Sequence, residues 1–318
     1  MKAVRITDWG AAPVVEELED PPSAAGRTVV RVAAATVAHL DRTIWSGAFL
    51  RPPALPYTPG VEAAGVVVSS ETFDVGARVW IRGGGLGVAS DGTWAEYVSA
   101  PDEALGALPD DVSFGLGAVF FSPCTSAWIA LHDIAALAAG ELVVVTGATG
   151  AVGAVACQLA VEAGADVIAT VSRPERLDLL PPGVTGVVVD GATESWAEAL
   201  GDRAPDLLVD TVGGQPLATI LPTVRSGGRA VLVGYVAGTT HELDLPAFMQ
   251  RNVSLHPLNM VQREPAGRAV APELLARLAD GRLHLDVTEF GLDAAGEALA
   301  WLDESGHTGR AVLVPTTD

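Results

Sequence analysis

The 318 residues carry 39 acidic against 19 basic side chains, a formal net charge of −20, and 49% of them are hydrophobic. Such a balance excludes nucleic acid and anionic membranes as partners, because phosphate binding draws its affinity from clustered Lys and Arg. No apolar run reaches the roughly eighteen residues of a membrane span, and Met1-Lys2-Ala3-Val4-Arg5 opens a strand-like pattern and not a signal peptide, so a cytoplasmic protein with a large core in one to three domains is expected. Cys124 and Cys157 stand in apolar surroundings and form no C-x-x-C pair, which excludes a structural zinc lobe on ligand count.

Taken in order, residues 1–7, 28–35, 65–69, 78–82, 94–99 and 104–108 are short strand candidates. Pro21-Pro22, Pro52-Pro53 and the stretch 56–60 separate them, which predicts a compact, partly closed β domain. Between them, His39 and Asp41 alternate on a strand-like run, and 49–53 reads as a loop. Arg82-Gly83-Gly84-Gly85-Leu86-Gly87 resembles a phosphate loop by eye, but no helix follows to supply a dipole, so a flexible turn is expected.

From about residue 114 the chain turns Ala-rich and helical, and then a strand–turn–helix–strand unit fills 141–173. Leu142-Val143-Val144-Val145 suits a strand buried on both faces. The glycine turn Thr146-Gly147-Ala148-Thr149-Gly150-Ala151-Val152-Gly153 leads into an apolar helix, and 165–171 is a second strand, the order of a βαβ crossover. Strands at 184–189, 205–210 and 229–234 then alternate with helices around 195–200 and 216–224, the pattern of a doubly wound parallel sheet. In the tail, 260–268 reads as a loop, followed by helix 272–280, strand 285–289, helix 294–303 and strand 310–315.

Glycines in a strand-to-helix turn let backbone approach a pyrophosphate, which then sits on the N–H groups and positive dipole end of the helix. The spacing G-x-x-G-x-x-G departs from the dinucleotide fingerprint, and a tight ligand-free connection is the bland alternative. Yet the strand before, helix after and second strand beyond supply the context a dinucleotide site demands. Gly147, Thr149, Gly150, Ala151, Val152 and Gly153 are therefore cofactor-binding candidates. An NAD site wants a carboxylate about 20 residues on. Here the strand ends Thr170-Val171-Ser172-Arg173 with Arg176 a turn later, so Ser172, Arg173 and Arg176 point to NADP(H), the alternative being a solvated helix start around Glu175. Gly234 and Tyr235, at the carboxyl end of a later strand, join this set with Asp210-Thr211-Val212-Gly213-Gly214 as lining loops. Thr125 before the unit and Asn259 after it complete it.

Several stretches together resemble the medium-chain dehydrogenase/reductase superfamily, in its zinc-independent, zeta-crystallin-like quinone oxidoreductase branch. They are Tyr57-Thr58-Pro59-Gly60-Val61-Glu62-Ala63-Ala64-Gly65-Val66-Val67, Val75-Gly76-Ala77-Arg78-Val79, Gly92-Thr93-Trp94-Ala95-Glu96-Tyr97-Val98, the turn 147–153, and Gly306-His307-Thr308-Gly309-Arg310-Ala311-Val312-Leu313. The resemblance implies an α/β protein: a GroES-like β-rich catalytic domain from residues 1–120 and 261–318, and a doubly wound Rossmann NADP(H)-binding domain from 121–260, with substrate in the cleft between them. It also implies a homodimer joined through edge strands of the Rossmann domain. The zinc-binding branch holds its metal at positions that correspond to Ala38, Val61 and Ser122; the first two offer no ligand atom and one hydroxyl does not hold zinc, so no metal is expected. The turn also looks like that of the short-chain dehydrogenases, but those need a tyrosine with a lysine four positions on, and Lys2 is the only lysine.

Without a metal, hydride delivery suits a quinone or the β-carbon of an α,β-unsaturated carbonyl, where developing charge delocalises onto an oxygen. A tailoring enoyl reductase of a biosynthetic pathway fits the same chemistry. Relatives often place Asn or Tyr on the segment aligned with 37–47; this chain has Ala38 and Thr43 there. His39, Asp41 and Thr43 are the first candidates for a catalytic acid, against the readings of a satisfied histidine, an N-cap-like aspartate and a strand filler. Trp45, Phe49, Tyr57 and Phe121 are candidate substrate-pocket walls. The competing function is an NADPH-binding protein of this fold that has lost catalysis and serves sensing, structure or partner binding.

Overall fold

Two sheets of different pattern carry the chain, and the computed structural model describes residues 1–189, 193–304 and 307–315 of it. β1 (Lys2–Arg5) pairs antiparallel with β2 (Val14–Glu17). β3 (Arg27–Val37) is followed by helix α1 (His39–Trp45), then β4 (Glu62–Ser69), β5 (Arg78–Arg82), β6 (Tyr97–Pro101) and β7 (Leu105–Ala107). Helices α2 (Phe114–Val119) and α3 (Phe121–Trp128) lead to β8 (Leu142–Val145), α4 (Ala151–Glu162), β9 (Asp166–Val171), β10 (Thr185–Val188), α5 (Thr193–Leu200), β11 (Leu207–Asp210) and α6 (Gly214–Ile220). β12 (Arg229–Leu232), α7 (Leu245–Arg251), β13 (Ser254–Pro257), α8 (Met260–Ala279), β14 (Val287–Gly291), α9 (Ala295–Trp301) and β15 (Arg310–Val314) complete it.

β3 is the spine of the first sheet. Strand order there is β14-β15-β3-β4-β5-β7, with β6 also on β3, so the last strand closes the sheet that the third opens. The register of β3 on β4 slips between Val29 and Val30 and between Val32 and Ala34, the bulges that bend such a sheet toward closure. The second sheet runs β10-β9-β8-β11-β12-β13, every pair parallel. Strand order reverses at β8, all four of whose residues are buried because helices cover both faces. Ligands of such sheets bind at this switch point.

Three segments fold otherwise than their local pattern suggests. The run at His39 is a helix and not a strand: Ala38 sits extended at its N-cap and the Asp41 carboxylate, three residues on, accepts the Ala38 N–H at 2.8 Å. Residues 260–268, read as a loop, are the first half of α8, which runs for 20 residues with Pro265 and Pro272 inside it. Pro265 and Gly267 are loop signals, but Gly267 presents its bare face to α3, where a Cβ would come within 3.2 Å of Phe121 and 3.3 Å of Thr125; tertiary packing overrides propensity. The 82–87 turn is held in place by its own hydrogen bonds, Ala89 N–H to Gly85 O at 2.8 Å and Gly87 N–H to Ser90 O at 3.0 Å. β2, β13 and α7 have no counterpart in the sequence reading. Gly306, quoted in the last family-like stretch, lies outside the described residues.

Candidate active site

The turn after β8 is fixed by a polar staple to its neighbour β11. Thr146 Oγ1 donates to Asp210 Oδ1 at 2.6 Å and accepts the Thr211 N–H at 2.9 Å, while Thr211 Oγ1 donates to Thr146 O at 2.7 Å. Asp210 Oδ2 accepts the Gly213 N–H at 2.9 Å. Burial raises the Asp210 carboxyl above its ordinary value, against the pull of the Thr146 and Gly213 hydrogen bonds. Gly147 follows with φ +61°, and a Cβ on Gly153 would stand 2.3 Å from Gly147 O, so turn and helix meet backbone to backbone. α4 starts after Gly150 with no side-chain cap, leaving the N–H groups of Ala151, Val152 and Gly153 without intrahelical acceptors.

Beside this turn lies a cavity of about 190 Å³, bounded by Gly147, Thr149, Val171, Ser172, Arg176, Val212 and Ala237. Arg176 Nη1 donates to Thr149 Oγ1 at 3.1 Å, while its Nε is buried and unpartnered. Among the described residues, a guanidinium with a donor to spare, a serine hydroxyl and no carboxylate line this wall, which suits it to a phosphate more than to a bare ribose diol. Arg173, at the strand tip, is exposed. Gly234 packs so closely on the Thr211 carbonyl that a Cβ would meet it at 2.2 Å. Its neighbour Tyr235 is 70% exposed. The two lining loops join through a Gly213–Gly238 bridge and the Ala237 N–H to Val212 O bond at 2.8 Å.

Thr125 and Asn259 have other employment. Thr125 is fully buried and donates to Phe121 O at 2.6 Å within α3. Asn259 caps α8, its Oδ1 accepting the Val261 N–H at 3.0 Å.

On the side of the first sheet, Asp41 is buried, and its two oxygens accept the N–H groups of Ala38 (2.8 Å) and Gly60 (3.2 Å). Burial pushes its carboxyl up to about 7, against those two bonds and the charge of Arg310. His39 opens α1; partial desolvation, then the charges of Arg310 and Arg42, hold its imidazole below the usual value. Thr43 donates back to His39 O at 2.8 Å. Trp45, Phe49 and Tyr57 come together in one small cluster around Ile6 and Ile44, with the Trp45 indole donating to Ala11 O at 2.7 Å. Burial raises the Tyr57 phenol, whose hydroxyl is buried and unpartnered. Phe121 lies apart from them, stacked on Trp80 at 5.0 Å. Both cysteines are buried, which pushes the Cys157 thiol up to about 12 and raises Cys124 as well.

Between the sheets sits an ionic cluster that sequence reasoning missed. Glu62, 1% exposed, accepts from the Ser122 hydroxyl and, at 3.2 Å, from the Ser122 N–H. Arg82 Nε lies 3.3 Å and Arg310 Nη1 3.7 Å from its two oxygens. Thr146, Asp210 and Thr211 were likewise unmarked as a staple. Their only signal was polarity at the ends of two apolar strands.

Comparison with known proteins places these features. Residues 24–110 match the alcohol dehydrogenase GroES-like domain and residues 151–279 the zinc-binding dehydrogenase domain. The Mus musculus quinone oxidoreductase is 30% identical over 247 residues, spanning 74% of this chain and 73% of that protein. A quinone oxidoreductase structure from Pseudomonas syringae pv. Tomato DC3000 superposes with TM-score 0.86 at 26% identity over 99% of both chains. That of the Escherichia coli quinone oxidoreductase, solved with NADPH, has TM-score 0.87 at 22% identity, covering 99% of this chain and all of that one, a likeness of fold. By these matches the chain belongs to the medium-chain dehydrogenase/reductase superfamily, in its quinone oxidoreductase branch, and is an oxidoreductase of that type.

Proposed function

We propose that this protein is a zinc-independent, NADP(H)-dependent reductase that transfers hydride to a quinone or to an α,β-unsaturated carbonyl, as a tailoring enoyl reductase would. The observation that carries the cofactor choice is the Arg176 guanidinium in the wall of the cavity next to Ser172, where among the described residues it bonds only Thr149 and its buried Nε has no partner. Bound there, the nucleotide supplies a hydride. The chain's own residues do the rest. The α4 N-terminus and Gly147 turn receive the pyrophosphate, Arg176 and Ser172 hold the 2′-phosphate, and the Thr146–Asp210–Thr211 staple keeps both turns in register. Zinc has no part in this reading, since Ala38 and Val61 carry no ligand atom and Ser122 is bonded to Glu62.

Asp41 serves α1 as a capping residue in this reading and not as the acid, because both its oxygens already accept backbone N–H groups. Water supplies the product proton. Residues 1–120 with 261–318 form the catalytic domain and 121–260 the nucleotide domain, and edge strand β13 is the place for a homodimer contact in the cytoplasm. Fluorescence titration with NADPH and NADH, followed by 1,4-benzoquinone and a simple enone in the same cuvette, tests the proposal. Tight NADPH binding with turnover supports it, and absence of binding by either nucleotide overturns it.

A further inference from the structure

Resting on that reading, we propose that Arg82 is the catalytic cation of the site: its guanidinium meets the acceptor oxygen on which negative charge collects as hydride arrives. Glu62 and Arg82 are direct partners across β4 and β5, so their side chains share a face of the sheet. Two residues along that face, Ala64 stands opposite Trp80, and Trp80 stacks on Phe121 at the start of α3. Arg82 therefore points at the seam between the two sheets, where Ser122 of α3 closes on Glu62.

What Arg82 does there is only half accounted for by Glu62. Its Nε lies 3.3 Å from one carboxylate oxygen, and both Nη groups lack a hydrogen-bond partner among the described residues, with 17% of the side chain accessible. Arg310 stands 3.7 Å from the other oxygen. Arg310 also faces the buried Asp41 carboxyl, so its charge is shared between two acids, while the Arg82 Nη donors stay free among the described residues, in a partly buried seam where an aimed donor is worth more than in bulk solvent. The position is also rigid. The Arg82 carbonyl accepts from Arg268 Nη2 of α8. The Arg268 guanidinium itself lies 5.0 Å over Trp80 and 5.8 Å over Phe121.

The chemistry balances without a metal. A C–H bond forms at the acceptor's β-carbon with the hydride pair of a reduced nicotinamide, the C=C pair shifts toward the carbonyl carbon, and the carbonyl π pair moves onto oxygen. Arg82 keeps its proton and donates N–H hydrogen bonds to that oxygen, since guanidinium does not deprotonate in proteins. The enolate then takes a proton from water at the α-carbon, and the nucleotide leaves oxidised.

The test compares the full-length protein with Arg82→Gln, Arg82→Lys and the Glu62→Gln/Arg82→Gln pair, the last so that no buried carboxylate is left unpaired if the single variant fails to fold. Turnover of benzoquinone and an enone is measured beside NADPH affinity, and p-nitrophenol is titrated by absorbance with oxidised nucleotide bound, as a probe of anion stabilisation that needs no turnover. Arg82→Gln is expected to lower kcat on the order of 10²- to 10³-fold, with NADPH affinity unchanged, and to raise the apparent pKa of bound p-nitrophenol. Arg82→Lys is expected to keep part of both effects. An unshifted p-nitrophenol pKa, or a kcat within about threefold of the parent, overturns the assignment of Arg82. A parent protein that shifts the phenol but reduces neither acceptor overturns the proposed reaction instead and leaves Arg82 an anion-binding residue.

Discussion

Asp41 ties helix α1 to the loop before β4: one oxygen accepts the N–H of Ala38 and the other that of Gly60, 3.2 Å away across the sheet edge. Replacing it with Ala leaves two buried N–H groups unpaired and should cost about 1–3 kcal/mol, read as a drop in the denaturant midpoint. The pH dependence has a definite sign. A carboxyl raised from 3.8 to about 7 in the folded protein gives stability that is complete below its unfolded value and is lost as pH rises through about 7. Thermal scans at pH 4.5 and pH 8 should therefore differ less for Asp41→Asn than for the parent. An identical difference in both would show that Asp41 is ionised throughout.

Arg176 lines the cavity beside the Gly147 turn, and Arg173 is exposed. Arg176→Ala should weaken NADPH by roughly tenfold to a hundredfold, the worth of a hydrogen bond to a charged group, and leave NADH within about twofold. Arg173→Ala should have a smaller effect. Parallel titrations of both nucleotides decide this, and equal losses for the two would remove the 2′-phosphate from the account.

Gly153 allows α4 to sit on the turn at Gly147. A methyl group there would stand 2.3 Å from a backbone oxygen, and backbone does not yield as a side-chain tip does. Gly153→Ala should destabilise by about 1–3 kcal/mol and abolish nucleotide binding at concentrations that saturate the parent. Calorimetric titration checks the second effect separately from the first.

Thr146→Val keeps the shape of the strand end but removes the hydroxyl that serves both Asp210 and Thr211. The cost should be about 1–3 kcal/mol for groups left unsatisfied in a dry site. Hydrogen exchange should show faster opening at Thr211 and Gly213, with the far end of β8 unchanged.

Much of the architecture was readable where the residues of an element decide its form. Leu142-Val143-Val144-Val145 and the glycines after it read as strand and turn because burial on both faces and close backbone approach leave few other residue choices. α1 was not readable, because what makes it a helix is Asp41 accepting N–H groups from Ala38 and Gly60, the second nineteen residues away. α8 was misread at its start because Pro265 and Gly267 signal a break, and only the surface of α3 explains the bare glycine. The Glu62–Arg82 pair was invisible for a similar reason: it exists through the register of β5 on β4, which no local pattern encodes.

β15 pairs with β3, joining Ala311 to Val37 across the whole of the second sheet. The nucleotide domain is consequently threaded into the other one as an insert, attached by two crossings. During synthesis, the part of β3 that receives β15 stays unpaired until the whole of β8 to β13 has been made, so the first sheet is completed after the second has had time to fold. Pairings of such wide separation close slowly, so refolding from denaturant should regain nucleotide-sheet protection before the β3–β15 ladder forms.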